Sequence, residues 1–97
     1  MKRRKVIWSP RALAEFGELY GYLVNKWGVN TAESVLEKIE VNLILASRMP
    51  YVFPKHHKFN QRFFIINGRT KVYYRFRRTK LEVVAFYGTR QDEESYQ

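Results

Sequence analysis

The chain has 97 residues, 45% of them hydrophobic and 16% aromatic, enough for one hydrophobic core and too few for a second domain. The absence of cysteine excludes a disulfide framework, a thiolate metal site and a cysteine nucleophile, and fits a reducing cytoplasm. Eighteen Lys/Arg against nine Asp/Glu give a net charge of +9, a balance that bears on polyanionic or acidic partners and not on fold.

The basic start, MKRRKVIW, runs at once into Ser9-Pro10. That is too short an apolar stretch for a secretory signal or a membrane span, so the chain is expected to be soluble, unprocessed and cytoplasmic. Lys5 to Trp8 read as a short strand, and Ser9 followed by Pro10 reads as a helix start. Leu13, Phe16, Tyr20, Leu23, Val24 and Trp27 recur at helical spacing up to Gly28, predicting a first helix over about 10–27. Asn30 or Thr31 would cap a second helix ending at Arg48, with Ala32, Val35, Leu36, Ile39, Leu43 and Ala46 buried. The two should pack as an antiparallel hairpin.

Residues 49–60 hold two prolines, two adjacent histidines and no period, as expected of a loop. After it the period changes to two. Arg62 to Ile66, a turn at Asn67-Gly68, Thr70 to Phe76, a second turn, and Leu81 to Tyr87 predict a three-stranded meander. In its middle strand Val72, Tyr74 and Phe76 share one face, while Lys71, Tyr73, Arg75 and Arg77 share the other. The fold class is therefore α+β: an N-terminal strand, then an antiparallel helical hairpin packed on one face of an antiparallel sheet, in the order β-α-α-β-β-β. The other sheet face is left open, with a polar and cationic look.

Residues 49–90 carry ten bases and one acid, Glu82, whereas the last seven residues carry three acids. Cations that neutralise phosphate, interleaved with rings that stack on bases, suit RNA or single-stranded nucleic acid better than duplex reading. The plain alternative is solvated charge with tyrosines that merely pack. His56-His57 lacks the spacing and the third ligand of a metal site. Asn67-Gly68-Arg69 and Gly88-Thr89-Arg90 are turns and not phosphate loops, so neither a metal nor a nucleotide cofactor is expected. Cationic groups with a lysine, histidine or tyrosine of shifted pKa would permit metal-free RNA cleavage.

Several strings in order resemble the RelE/ParE superfamily, the toxin halves of bacterial type II toxin–antitoxin pairs. They are Lys5-Val6-Ile7-Trp8-Ser9-Pro10 with Ala12, the helix end Tyr22 to Trp27-Gly28, Met49-Pro50, the strand Val72-Tyr73-Tyr74-Arg75-Phe76, and the close Phe86-Tyr87-Gly88-Thr89-Arg90-Gln91-Asp92. The resemblance spans nearly the whole chain. It implies a single cytoplasmic toxin domain held inactive by a cognate acidic antitoxin, with no cofactor. RelE-like members cut messenger RNA on the ribosome, and ParE-like members poison DNA gyrase without cutting RNA.

The RelE-like pattern has a lysine pair on the first meander strand, an arginine entering the second, an arginine after the third and a tyrosine near the C-terminus. Arg90 and Tyr96 match the last two. The middle arginine falls on Thr70, or on Lys71 if the turn is one residue shorter. The lysine pair falls on Phe63-Phe64-Ile65-Ile66, where Arg62, Lys58 or His57 would have to substitute. The resemblance thus nominates Arg62 and Arg90 as phosphate-binding groups, Lys71 as a further cation and Tyr96 for proton transfer or base stacking. Ribosome-dependent mRNA cleavage is the first expectation; a gyrase poison and an antitoxin-binding module without toxicity are the alternatives.

Overall fold

Ser9 sets where the first helix begins. In the computed structural model, which describes residues 3–88, its hydroxyl accepts the Ala12 N–H at 2.9 Å while Pro10 fills the first helical position, where a missing N–H costs nothing. The same hydroxyl donates to the Val84 carbonyl at 2.9 Å, tying the helix start to the sheet. The elements are β1 (Lys5–Trp8), α1 (Pro10–Trp27), α2 (Val29–Arg48), β2 (Arg62–Ile66), β3 (Thr70–Phe76) and β4 (Lys80–Gly88), the expected β-α-α-β-β-β order. Among the described residues no helix is long and apolar enough to cross a membrane.

The helices differ from expectation in two ways. Gly28 alone separates them: at φ 98° its N–H closes on the Leu23 and Val24 carbonyls at 3.2 and 3.0 Å, and its carbonyl accepts the Ala32 N–H at 3.2 Å. A glycine with positive φ reverses the chain in one residue, so Asn30 and Thr31 lie inside α2 and cap nothing. The buried stripe of α1 is also rotated. Ala12 is fully buried and Phe16, Leu19 and Leu23 pack on the core, while Leu13 and Trp27 are exposed. On α2, Ala32, Val35, Ile39, Leu43 and Ala46 are buried as expected, whereas Leu36, expected with them, is only half-buried.

The sheet order is β1-β4-β3-β2. The meander is antiparallel, whereas β1 joins it parallel to β4; the chain reaches that position only after both helices and the meander. The β2–β3 turn has positive φ at Asn67 (55°) and Gly68 (68°), which Asn-Gly supplies at low strain. In β4, Tyr73 pairs with Ala85 but Tyr74 pairs with Val83, leaving Val84 as an extra residue. This bulge shifts the alternation by one. Leu81 and Val83 face the helices before it and Phe86 after it, where Phe86 stacks on Trp8 at 5.3 Å.

Loop 49–60 is pinned rather than free. The buried Tyr74 hydroxyl donates to the Pro50 carbonyl at 2.7 Å, and Phe53 lies against Phe64 at 5.1 Å and Tyr74 at 6.3 Å. Lys55 pairs with Arg62 in a single antiparallel bridge, so the loop covers the first part of the β2 edge.

Candidate functional site

The sheet face away from the helices carries Phe63, Ile65, Lys71, Tyr73, Arg75 and Tyr87, and it is aromatic at its centre. Tyr73 is only 8% exposed, enclosed by Phe63 at 5.4 Å, Tyr87 at 5.3 Å and His56 at 5.8 Å. The expected cationic character is confined to the margins. Lys71 lies over the Phe63 ring at 5.5 Å, and Arg75 is paired with Glu82 at 2.6 Å. Arg77 sits past the strand end, in the turn before β4. Sequence alternation places these residues on the right face but does not reveal the ring cluster that the bulge completes by sending Tyr87 there.

His56 roofs this face. Its Nδ1 accepts the N–H groups of Lys58 at 3.0 Å and Phe59 at 3.3 Å, and its ring stacks on His57 at 4.6 Å and lies tilted at 4.9 Å from Phe59. Desolvation, then the charges of His57, Lys58 and Lys71, hold its pKa below the usual histidine value. An Nδ1 that accepts two donors is committed to the neutral ring.

Arg62 and Lys71 do not share a surface. Arg62 pairs with Tyr74 and Lys71 with Ile65, residues on opposite faces of the sheet. Arg62 donates to the Phe53 carbonyl at 2.8 Å and lies over Tyr51 at 5.0 Å, so its guanidinium fastens loop 49–60. Lys71 is on the open face. Arg90 and Tyr96 lie outside the described residues. Where a lysine pair would stand, Phe64 and Ile66 point into the core and Phe63 and Ile65 occupy the open face.

A second feature, absent from the sequence reading, is a groove of about 930 Å³ between α1 and the β2–β3 hairpin, lined among others by Leu19, Leu23, Trp27, Arg69, Phe86 and Gly88. At one end Glu15 accepts the Phe86 N–H at 2.9 Å and pairs with Arg11 at 3.0 Å. Arg11 in turn donates to the Tyr87 hydroxyl and lies over that ring at 5.1 Å. The hydrogen bond to Glu15 raises the Arg11 pKa further. β1 reaches only Val83, so Glu15 closes an N–H on β4 that no strand pairs. The i,i+4 spacing of Arg11 and Glu15 is legible in sequence; their reach to β4 is not.

Among the described residues no three His, Asp or Glu side chains converge on a metal site. The histidine pair at 56–57 does lie close to Lys58 and Lys71, but the His56 Nδ1 is taken up by the Lys58 and Phe59 N–H groups. The described surfaces offer binding: an aromatic face with cationic margins, and an apolar groove with charged ends.

A family model for the ParE toxin of type II toxin–antitoxin system, parDE, matches residues 6–94. A solved structure from the chromosomal ParDE TA system of P. aeruginosa superposes with a TM-score of 0.73 at 11% identity, covering 89% of this chain and 96% of that one; at such identity the likeness concerns the fold. No curated protein matches the sequence.

Proposed function

The chain belongs to the ParE toxin family of type II toxin–antitoxin systems, and from that premise we propose that it arrests growth by poisoning DNA gyrase. The observation that supports this over mRNA cleavage is the content of β2. Its open-face positions are Phe63 and Ile65, and its cation, Arg62, is bound to the Phe53 carbonyl. The open face of such a strand offers no cation to a scissile phosphate, and proton transfer without such cations forgoes the electrostatic stabilisation that usually dominates catalysis. Ribosome-dependent cleavage would have to be assembled from Lys71 and the loop residues His57 and Lys58 with Arg90 and Tyr96. A cognate antitoxin, acidic to match a +9 chain, would neutralise the toxin.

The test is induction of the chain in a bacterium carrying a DNA-damage reporter, with transcript ends mapped in parallel. The reading expects growth arrest, an induced reporter and intact transcripts, all reversed by co-expression of the antitoxin. Arrest with an uninduced reporter and new transcript ends inside coding regions would overturn it in favour of a nuclease. Unimpaired growth would leave only an antitoxin-binding module.

A further inference from the structure

We propose that the end of the molecule where β1 and β4 begin, far from the groove, binds the phosphate backbone of duplex DNA. Three segments meet there. The Arg4 N–H donates to the Ser47 carbonyl at 2.9 Å, the Lys5 N–H to the Thr79 carbonyl at 3.0 Å, and the Arg77 N–H to the Lys80 carbonyl at 2.8 Å. These backbone bonds gather the side chains of Arg3, Lys5, Arg48, Arg77, Arg78 and Lys80, all exposed. Lys5 and Lys80 are paired neighbours in parallel register, so their like charges sit on adjacent strands roughly 4.8 Å apart.

The two ion pairs among the described residues, Arg11–Glu15 and Arg75–Glu82, use none of these six. Arg4 is the seventh cation, but it is already engaged: its Nε donates to the Arg77 carbonyl at 2.7 Å and it lies over Phe76 at 5.2 Å. Six cations that no carboxylate of the described residues pairs, on three backbone-bonded segments, form a positive field, which attracts a line of phosphates and steers its approach.

Duplex fits better than single strand. Tyr51, exposed on the loop after α2, lies under the Arg62 guanidinium and edge-on to Phe76 at 5.1 Å, whereas Phe63 is on the outer strand β2 and Tyr87 at the far end of β4. The pole therefore presents charge to a backbone more than stacking platforms to splayed bases. The inference deepens the gyrase reading, since a gyrase poison meets its target on DNA, but the binding is measurable without gyrase.

The experiment is fluorescence anisotropy of a labelled 20-base-pair duplex titrated with the full chain between about 50 and 200 mM salt. The turn variant R77E/R78E/K80E is compared with a variant of equal charge change elsewhere, K26E/K55E/K58E, with thermal melts to verify that both fold. The expected result is at least a tenfold loss of affinity in the turn variant, with a log–log salt slope shallower by about 3, and a change under threefold in the other. Equal losses in both variants would reduce the effect to net charge and overturn the inference. So would tighter binding of the single-stranded oligonucleotide, or binding to phosphatidylglycerol vesicles with none to the duplex. Undiminished gyrase poisoning by a turn variant that no longer binds DNA would leave the proposed function standing; DNA binding by a chain that does not poison gyrase would do the reverse.

Discussion

Tyr74 does most to hold loop 49–60 on the sheet. It is fully buried, and burial pushes its phenol up to about 12, against a partial opposing pull from Arg62. The hydroxyl thus stays protonated and keeps donating to Pro50. Y74F leaves that carbonyl unpaired, which costs about 1–3 kcal/mol, and each kcal/mol lowers Tm by about 4–8 °C in a domain of this size. An acid whose folded pKa is raised binds its proton more tightly in the native state. Stability from Tyr74 is therefore present below the unfolded value of 10.0 and falls as pH rises towards about 12; denaturant melts should show a shallower alkaline slope in Y74F than in the wild type, the remainder coming from Tyr20, whose pKa is raised by its hydrogen bond to Glu33. His56 has the opposite sign. Its folded pKa is lowered below 6.5, so the unfolded chain takes up the proton first and stability falls as pH drops through 6.5. His57, Lys58 and Lys71 surround it, and H56N, which can offer an acceptor near Nδ1 but cannot titrate, should flatten the pH dependence of Tm between pH 7 and 5.5.

At the scale of elements, Ser9 and the bulge at Val84 act together. S9A removes both the cap on α1 and the hydroxyl bond to Val84 and should cost about 0.5–2 kcal/mol for the cap alone, read as a lower midpoint in urea at unchanged m-value. The cap, the Asn67-Gly68 turn, all four strands and the stripe of α2 are legible in the sequence because each rests on local chemistry: a hydroxyl, a positive φ, a period. The rest depends on partners distant along the chain. The rotated stripe of α1 follows from Trp8 and Phe86, which stack on each other and hold Phe16 against both at 5.6 and 5.8 Å, leaving Leu13 outside. The parallel pairing of β1 and the extra residue in β4 likewise arise from contacts some 75 residues apart in sequence, such as Ser9 to Val84. Of the nominated site residues, Lys71 stands on the open face as alternation requires, and Arg62 turns to the helix side because it is an odd step from the positions that face outward.

For the whole molecule, charge and apolar surface are separated. The aromatic face, the groove between α1 and the β2–β3 hairpin, and the cationic pole are three different surfaces on one small α+β layer pair. That arrangement suits a protein that acts by holding macromolecules more than by converging catalytic groups on one bond. It also explains how a chain with a RelE-like outline can have hydrophobic residues in the lysine positions: β2 is occupied with packing, Phe64 against Phe53 and Phe63 against Tyr73. The most direct measurement places the purified chain with DNA gyrase and supercoiled plasmid, and in parallel with programmed ribosomes. The account predicts accumulation of protein-linked, broken plasmid and intact messenger RNA. Messenger RNA cut on the ribosome, with gyrase turning over undisturbed, would contradict it.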